Sequence, residues 1–137
     1  MMKNFLMVIM LACMFACTAG KKSVTVDANA LKGEWVMVDF KGQETEKLEE
    51  IPPVPLHFFE GENRFQVKPF NSVSGGYEVN GPEIKFLMGP STMMAQPPEE
   101  MIFLNNFYKV NHFEIVKGQL ILKNEADQVK MTFKKKG

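Results

Sequence analysis

From Trp35 to the C-terminal lysines, apolar and polar residues exchange places at every second position, and turn residues interrupt the pattern at short intervals. A period of two puts successive side chains on opposite faces, so each run reads as a strand with one buried and one wet face. Val129, Met131 and Phe133, alternating with Lys130, Thr132 and Lys134, are the clearest case. The same reasoning predicts strands at Trp35–Phe40, Leu56–Phe59, Phe65–Val67, Tyr77–Val79, Ile84–Met88, His112–Val116 and Gln119–Lys123. In the first of these, Trp35 and Met37 share one face, and Val36, Val38 and Phe40 the other. Turns are expected at Gly61-Glu62-Asn63, at Ser72 to Gly76, at Asn80-Gly81 and at Lys117-Gly118, with Gly89-Pro90 stopping its strand. The acidic run Lys41 to Glu50, followed by Pro52-Pro53, reads as a loop.

One helix interrupts the strands. Pro97-Pro98-Glu99-Glu100 is a helix start, because proline tolerates the first turn and carboxylates favour the positive end of the dipole. Leu104, Phe107 and Tyr108 then form a core-facing stripe. About eight strands must curl to bury their apolar faces, and one helix can plug an open end. The expected fold is mainly β (α+β): a small curled antiparallel sheet or open barrel with one helix.

The N-terminus obeys different rules. Residues 5–16 carry no charge, follow Lys3, and are too few to cross a bilayer core, which takes about 20 residues in a helix. They match a secretory n-region and h-region. Met14-Phe15-Ala16-Cys17 resembles a bacterial lipobox, with Met14 where Leu is usual; Cys13, behind a shorter apolar run, is the alternative. Cleavage before Cys17 discards Cys13, leaves one thiol and so forbids an intrachain disulfide. Acylation of Cys17 gives that lone thiol a purpose, and several acyl chains hold a protein firmly to a membrane. The chain accordingly divides into a lipoprotein signal at 1–16, a tether at 17–30 and a β domain at 31–137. By analogy with lipoprotein sorting in two-membrane bacteria, Thr18 after Cys17 points to the outer membrane, facing the periplasm.

Without Lys3, 15 basic residues face 16 acidic ones, so nothing favours nucleic acid as a partner. Lys134-Lys135-Lys136 reads as a solvated strand end. Met88, Met93 and Met94 surround one short loop, and soft thioethers select Cu(I). Met37, Met101 and Met131 join that set only if they meet in the core; the competing reading is that methionine fills irregular space. His57 and His112 lack ligand-motif spacing, and the Glu44, Glu46, Glu49 and Glu50 run lacks a calcium-loop pattern. No nucleophile-elbow or phosphate-loop pattern is present, so no enzyme and no cofactor are expected. Phe58 beside the Pro52–Pro55 loop is expected to be buried with at least one neighbour.

In order and spacing, Leu31-Lys32-Gly33-Glu34-Trp35, Asn71, Gly76-Tyr77, Gly81, Thr92-Met93-Met94-Ala95, Glu100, Phe103, Phe107, Val110, Phe113, Ile115, Gly118, Leu120, Leu122 and Phe133 resemble the META domain of HslJ-like lipoproteins. The resemblance covers residues 31–133. It implies a compact β domain outside the cytoplasmic membrane, in a family associated with stress response, antibiotic tolerance or virulence and without an established catalytic activity. Many members carry a cysteine pair whose positions correspond to Phe70 and Gln96 here, and an Arg where Met93 stands. No thiol role therefore carries over. Asn71 and Thr92 are the family-matched polar residues near the central hairpin and the helix start, with hydrogen bonding in turns as their structural reading. Together the features favour a non-catalytic envelope module that binds a protein or cell-wall component, with Asn71, Thr92 and Met93 as candidate binding residues. The alternative is a carrier of a small apolar ligand, held in a barrel mouth lined by Trp35, Phe65 and Tyr77, or of Cu(I) in the periplasm.

Overall fold

A computed structural model describes residues 24–50, 53–91, 97–124, 126 and 128–136. Among them are nine strands: β1 (Val24–Thr25), β2 (Gly33–Lys41), β3 (Pro55–Phe58), β4 (Arg64–Val67), β5 (Val73–Asn80), β6 (Glu83–Ser91), β7 (His112–Val116), β8 (Gln119–Lys123) and β9 (Lys130–Lys135). One helix, α1 (Pro98–Phe107), lies between β6 and β7. Every strand pairing is antiparallel, and the order β7-β6-β5-β4-β3-β2-β9-β8 returns to β7. Strands β2 to β9 thus close an eight-stranded barrel, with β1 attached to β7.

The closure is thin at one seam. Strand β6 meets β7 only at Glu83↔His112, flanked by bonds from Ile84 N to Asn111 O (3.1 Å) and from Phe113 N to Pro82 O (2.9 Å). Helix α1 supplies what the sheet lacks. Phe107 stacks 4.5 Å from Phe86, and Phe103 lies 5.9 Å from Phe40 in an edge-to-face pair. Phe65 reaches both Phe86 and Phe107. Phe58, Phe65, Phe103, Phe107, Phe113 and Phe133 are fully buried, and each such side chain contributes about 1.5–3 kcal/mol relative to exposure. The opposite end is plugged by the 3₁₀ turn Ala28–Leu31, whose Leu31 is buried and whose carbonyl accepts the Trp35 indole N–H at 2.8 Å.

Local chemistry explains the turns. Lys117 and Gly118 both have positive φ (53° and 78°), the two-residue geometry that matches the twist of a hairpin. Gly81-Pro82 joins β5 to β6, and residues 59–63 join β3 to β4. Phe58 is buried and Phe59 half-buried beside the Pro-rich loop, as expected.

Several expectations need correction. Phe40 is buried with Trp35 and Met37 rather than opposite them, because a β-bulge between Met37 and Asp39 shifts the alternation by one. Gly75-Gly76 is not a turn: both glycines lie inside β5, opposite Phe65 and Arg64, and the turn comes earlier, at 68–72. Gly89-Pro90 does not stop β6, which runs to Ser91. The register shifts there between Val73 and Gly75, and a bulge is where a strand tolerates proline. Tyr108 is no part of the core stripe: it caps the C-terminus of the helix, and its ring is 46% exposed. The expected tether gives way to structure from Val24, which pairs with Val116.

Candidate functional site

Helix α1 is held at both ends by buried polar side chains. Glu100, only 2% exposed, accepts hydrogen bonds from Phe70 N (3.0 Å), Asn71 N (2.5 Å) and Asn71 Nδ2 (2.8 Å). Its charge at the helix start was legible in the sequence; its use as a clamp on the 68–72 turn was not. Asn106, on the same buried side, accepts from Gln43 N (2.7 Å) and donates to Gln43 O (2.9 Å) and Ile102 O (2.7 Å). Gly42 belongs to this clamp: a Cβ there would overlap the Asn106 amide, 2.7 Å from its Cγ. The two clamps fix the height and rotation of the helix, and therefore the position of the segment that leaves it.

That segment, Tyr108 to His112, forms one wall of a groove of about 730 Å³ at the thin seam. Glu78, Glu83 and Lys85 of the β5–β6 hairpin form the facing wall. The chemistry is mixed: two carboxylates, two ammonium groups, amides, an imidazole and a half-exposed phenol ring. His112 Nδ1 lies 2.6 Å from Asn111 Oδ1, and Lys109 is tied to the Gln43 side chain. The Tyr108 phenol is held above its ordinary pKa, first by burial, which disfavours the phenolate, and second by the charge of Glu100. Tyr108 therefore presents a neutral ring and O–H donor throughout the neutral range. A volume of this size is that of a small-molecule or short-segment binding cleft.

The residues expected to bind are placed elsewhere. Trp35 and Tyr77 are 2% exposed and Phe65 is fully buried, so they fill the barrel and do not line an open mouth. Lys135 lies over the Trp35 ring at 4.7 Å. Lys32 donates to Tyr77 Oη (2.8 Å), Phe59 O (3.2 Å) and Glu62 O (2.7 Å), closing the same end. Asn71 belongs to the Glu100 clamp. Cys17, Thr92, Met93 and Met94 lie outside the described residues; Met88 lies in β6 opposite Gly75. Of the further methionines, Met37 and Met131 are in the core, but Met101 is 52% exposed on α1, so the set does not assemble as envisaged. Among the described residues no three of His, Cys, Asp and Glu gather as a metal site. Phe70 borders a cavity of about 210 Å³ together with Pro97.

The groove residues escaped the sequence reading because three separate segments build it. The one local signal was the polar Tyr108-Lys109-Val110-Asn111 stretch directly after a helix, which is too common to single out.

These features define a class: a small antiparallel barrel plugged by one helix inserted before its last three strands. The chain belongs to the META domain family, whose model matches residues 28–137. No curated protein matches it. Two solved structures share the fold. A DUF4847 family protein from Bacteroides vulgatus is 13% identical, with a TM-score of 0.61 over 82% of this chain and all of that one. A protein from Burkholderia xenovorans is 17% identical, with a TM-score of 0.57 over 86% of this chain and 96% of that one.

Proposed function

We propose that the chain is an exported lipoprotein, acylated at Cys17 after removal of residues 1–16, whose META domain serves as a non-catalytic binding module on the periplasmic side of the outer membrane. The apolar run 5–16 ending at Ala16-Cys17, and the single thiol it leaves, support the anchor. The observation that carries the binding role is where space lies. The barrel interior is occupied by packed rings, whereas the seam groove between Glu78–Lys85 and Tyr108–His112 is open and lined by several hydrogen-bonding side chains. A partner protein or cell-wall component would engage that groove. Ligand carriage inside the barrel has no support from the buried positions of Trp35, Phe65 and Tyr77.

The test is crosslinking in cells from photoreactive residues placed at Glu83 and Lys109 of the intact lipoprotein, with a control site at Gln66 on the outer face of β4. A specific product from the groove sites and none from the control supports the reading. No groove product, together with saturable binding of an apolar small molecule that changes Trp35 fluorescence, overturns it.

A further inference from the structure

We infer that the barrel rim carrying Lys117, Lys134 and Lys136 is a docking surface for anionic phospholipid headgroups, so that the domain sits on its membrane in one orientation. This rests on acylation at Cys17 and adds to it a claim about which face meets the lipid.

The inference starts from where the chain enters the fold. Val24, the first residue of β1, pairs with Val116, the residue before the Lys117-Gly118 turn. From Cys17 to Val24 is seven residue steps, and a fully extended chain covers at most about 25 Å in that length. A domain of this size has a radius of gyration of about 13 Å, which for a compact sphere is a diameter of about 34 Å, so the tether is shorter than the body it holds. The rim at which β1 starts is therefore the rim kept against the bilayer.

The pairing places the lysines on that rim. Lys134 is the register partner of Gln119, the first residue of β8, and Lys135 of Trp35 near the start of β2. Lys117, Lys134, Lys135 and Lys136 are all exposed. Lys135 has its ammonium engaged, 2.6 Å from Lys32 O and over the Trp35 ring. Lys136 has a 3.9 Å contact with Glu34, two-thirds and half exposed respectively, which is a weak surface pair. The acidic residues Glu44, Glu46, Glu49 and Glu50 lie in the loop after the far end of β2. The same rim also carries Glu60 and Glu62 in the 59–63 turn, and Lys41, Lys68, Lys85 and Lys130 are exposed elsewhere, but Lys117 and Lys134 stand beside the anchor, where each contributes about fivefold to partitioning on an anionic surface within a Debye length.

The experiment uses the protein extracted from the cell envelope and reconstituted into vesicles of phosphatidylcholine alone or with phosphatidylglycerol. Amine-reactive labelling followed by peptide mass analysis reads each lysine. At low salt, labelling of Lys117, Lys134 and Lys136 should fall about fivefold on the anionic vesicles relative to the neutral ones, and recover in concentrated salt. Lys85 and Lys109 in the groove should not change. Lys117→Glu combined with Lys134→Glu should abolish the protection of Lys136 while the protein still floats with the vesicles. Equal labelling on both vesicle types overturns the docking surface while leaving the anchor intact. Failure to float in concentrated salt overturns the anchor instead. Salt-reversible flotation on anionic vesicles alone would then still support the lysine rim, and its absence would overturn both.

Discussion

Replacing Glu100 with alanine removes the acceptor for three hydrogen bonds at once, and the structure sets the scale of the loss. Two donors are backbone N–H groups of the 68–72 turn, and the third is the Asn71 amide. Asn71 is 1% exposed, so water cannot readily replace the missing partner of its N–H. A buried donor that loses its acceptor costs about 1–3 kcal/mol, so three such donors set a range of about 3–9 kcal/mol, reduced because the change also removes a buried charge that has no cation beside it among the described residues. The lower part of that range applies here, because Phe70 N is only part-buried: about 3–4 kcal/mol. Glu100→Gln separates shape from acceptor count. Its carbonyl can keep the two backbone bonds at the Oε1 position, while its amide meets the Asn71 amide donor to donor. The expected cost is about 1–1.5 kcal/mol, close to one net hydrogen bond. Urea unfolding followed by the fluorescence of the single Trp35 measures both variants. The midpoint should move with an unchanged slope, since the surface exposed on unfolding stays the same. In thermal unfolding Glu100→Ala should lower Tm by about 10–20 °C. A loss below about 1 kcal/mol for Glu100→Ala, or Glu100→Gln as damaging as Glu100→Ala, would refute the clamp.

Other outcomes follow from the same structure. Gly42→Ala drives a methyl into the Asn106 amide and should destabilise by about 1–3 kcal/mol. In a Gly42→Ala/Asn106→Ala double variant the clash disappears, so unfolding midpoints should show clear sub-additivity, and simple addition would contradict the contact. The raised pKa of Tyr108 means that the folded chain keeps the phenol proton at pH values where the unfolded chain has released it. Stability should therefore fall as pH rises above about 10, the ordinary tyrosine value, and Tyr108→Phe should flatten that fall; an identical pH profile would refute the assignment. Cys17→Ala should abolish fatty-acid labelling and leave the circular dichroism of the folded domain unchanged. A labelled Cys17→Ala variant would move the anchor to Cys13.

Much of the fold was legible because the barrel is built from strands with one wet face. Phe65 and Val67, and Leu120 and Leu122, alternate in the structure as they do in the sequence, whereas in β9 Thr132, expected on the wet face, is buried between Met131 and Phe133. What failed did so where tertiary pairing overrode a local signal. The bulge after Met37 carries no sequence mark, yet it returns Phe40 to the core. Gly75-Gly76 has the composition of a turn, but β4 and β6 hydrogen-bond on either side of it and draw it into a strand. Tyr108 continues the helical spacing of Leu104, and its N–H still bonds to Leu104 O at 3.0 Å, but as the helix C-cap it stands at the edge of the core and its ring borders the groove. The candidate site was the least legible part. Glu78, Glu83, Tyr108 and His112 meet because of the barrel's stagger, which brings the first residue of β6 beside the first of β7. No spacing along the chain encodes that meeting.

The proposed delivery of this META domain to a membrane by lipid on Cys17 underlies both its orientation and its binding role. Mass analysis of the N-terminal peptide from protein purified out of the cell envelope tests it most directly. The expected result is a mature chain that begins at Cys17 with acyl groups on it and residues 1–16 absent. An N-terminus at any other residue, or an unmodified Cys17, contradicts it.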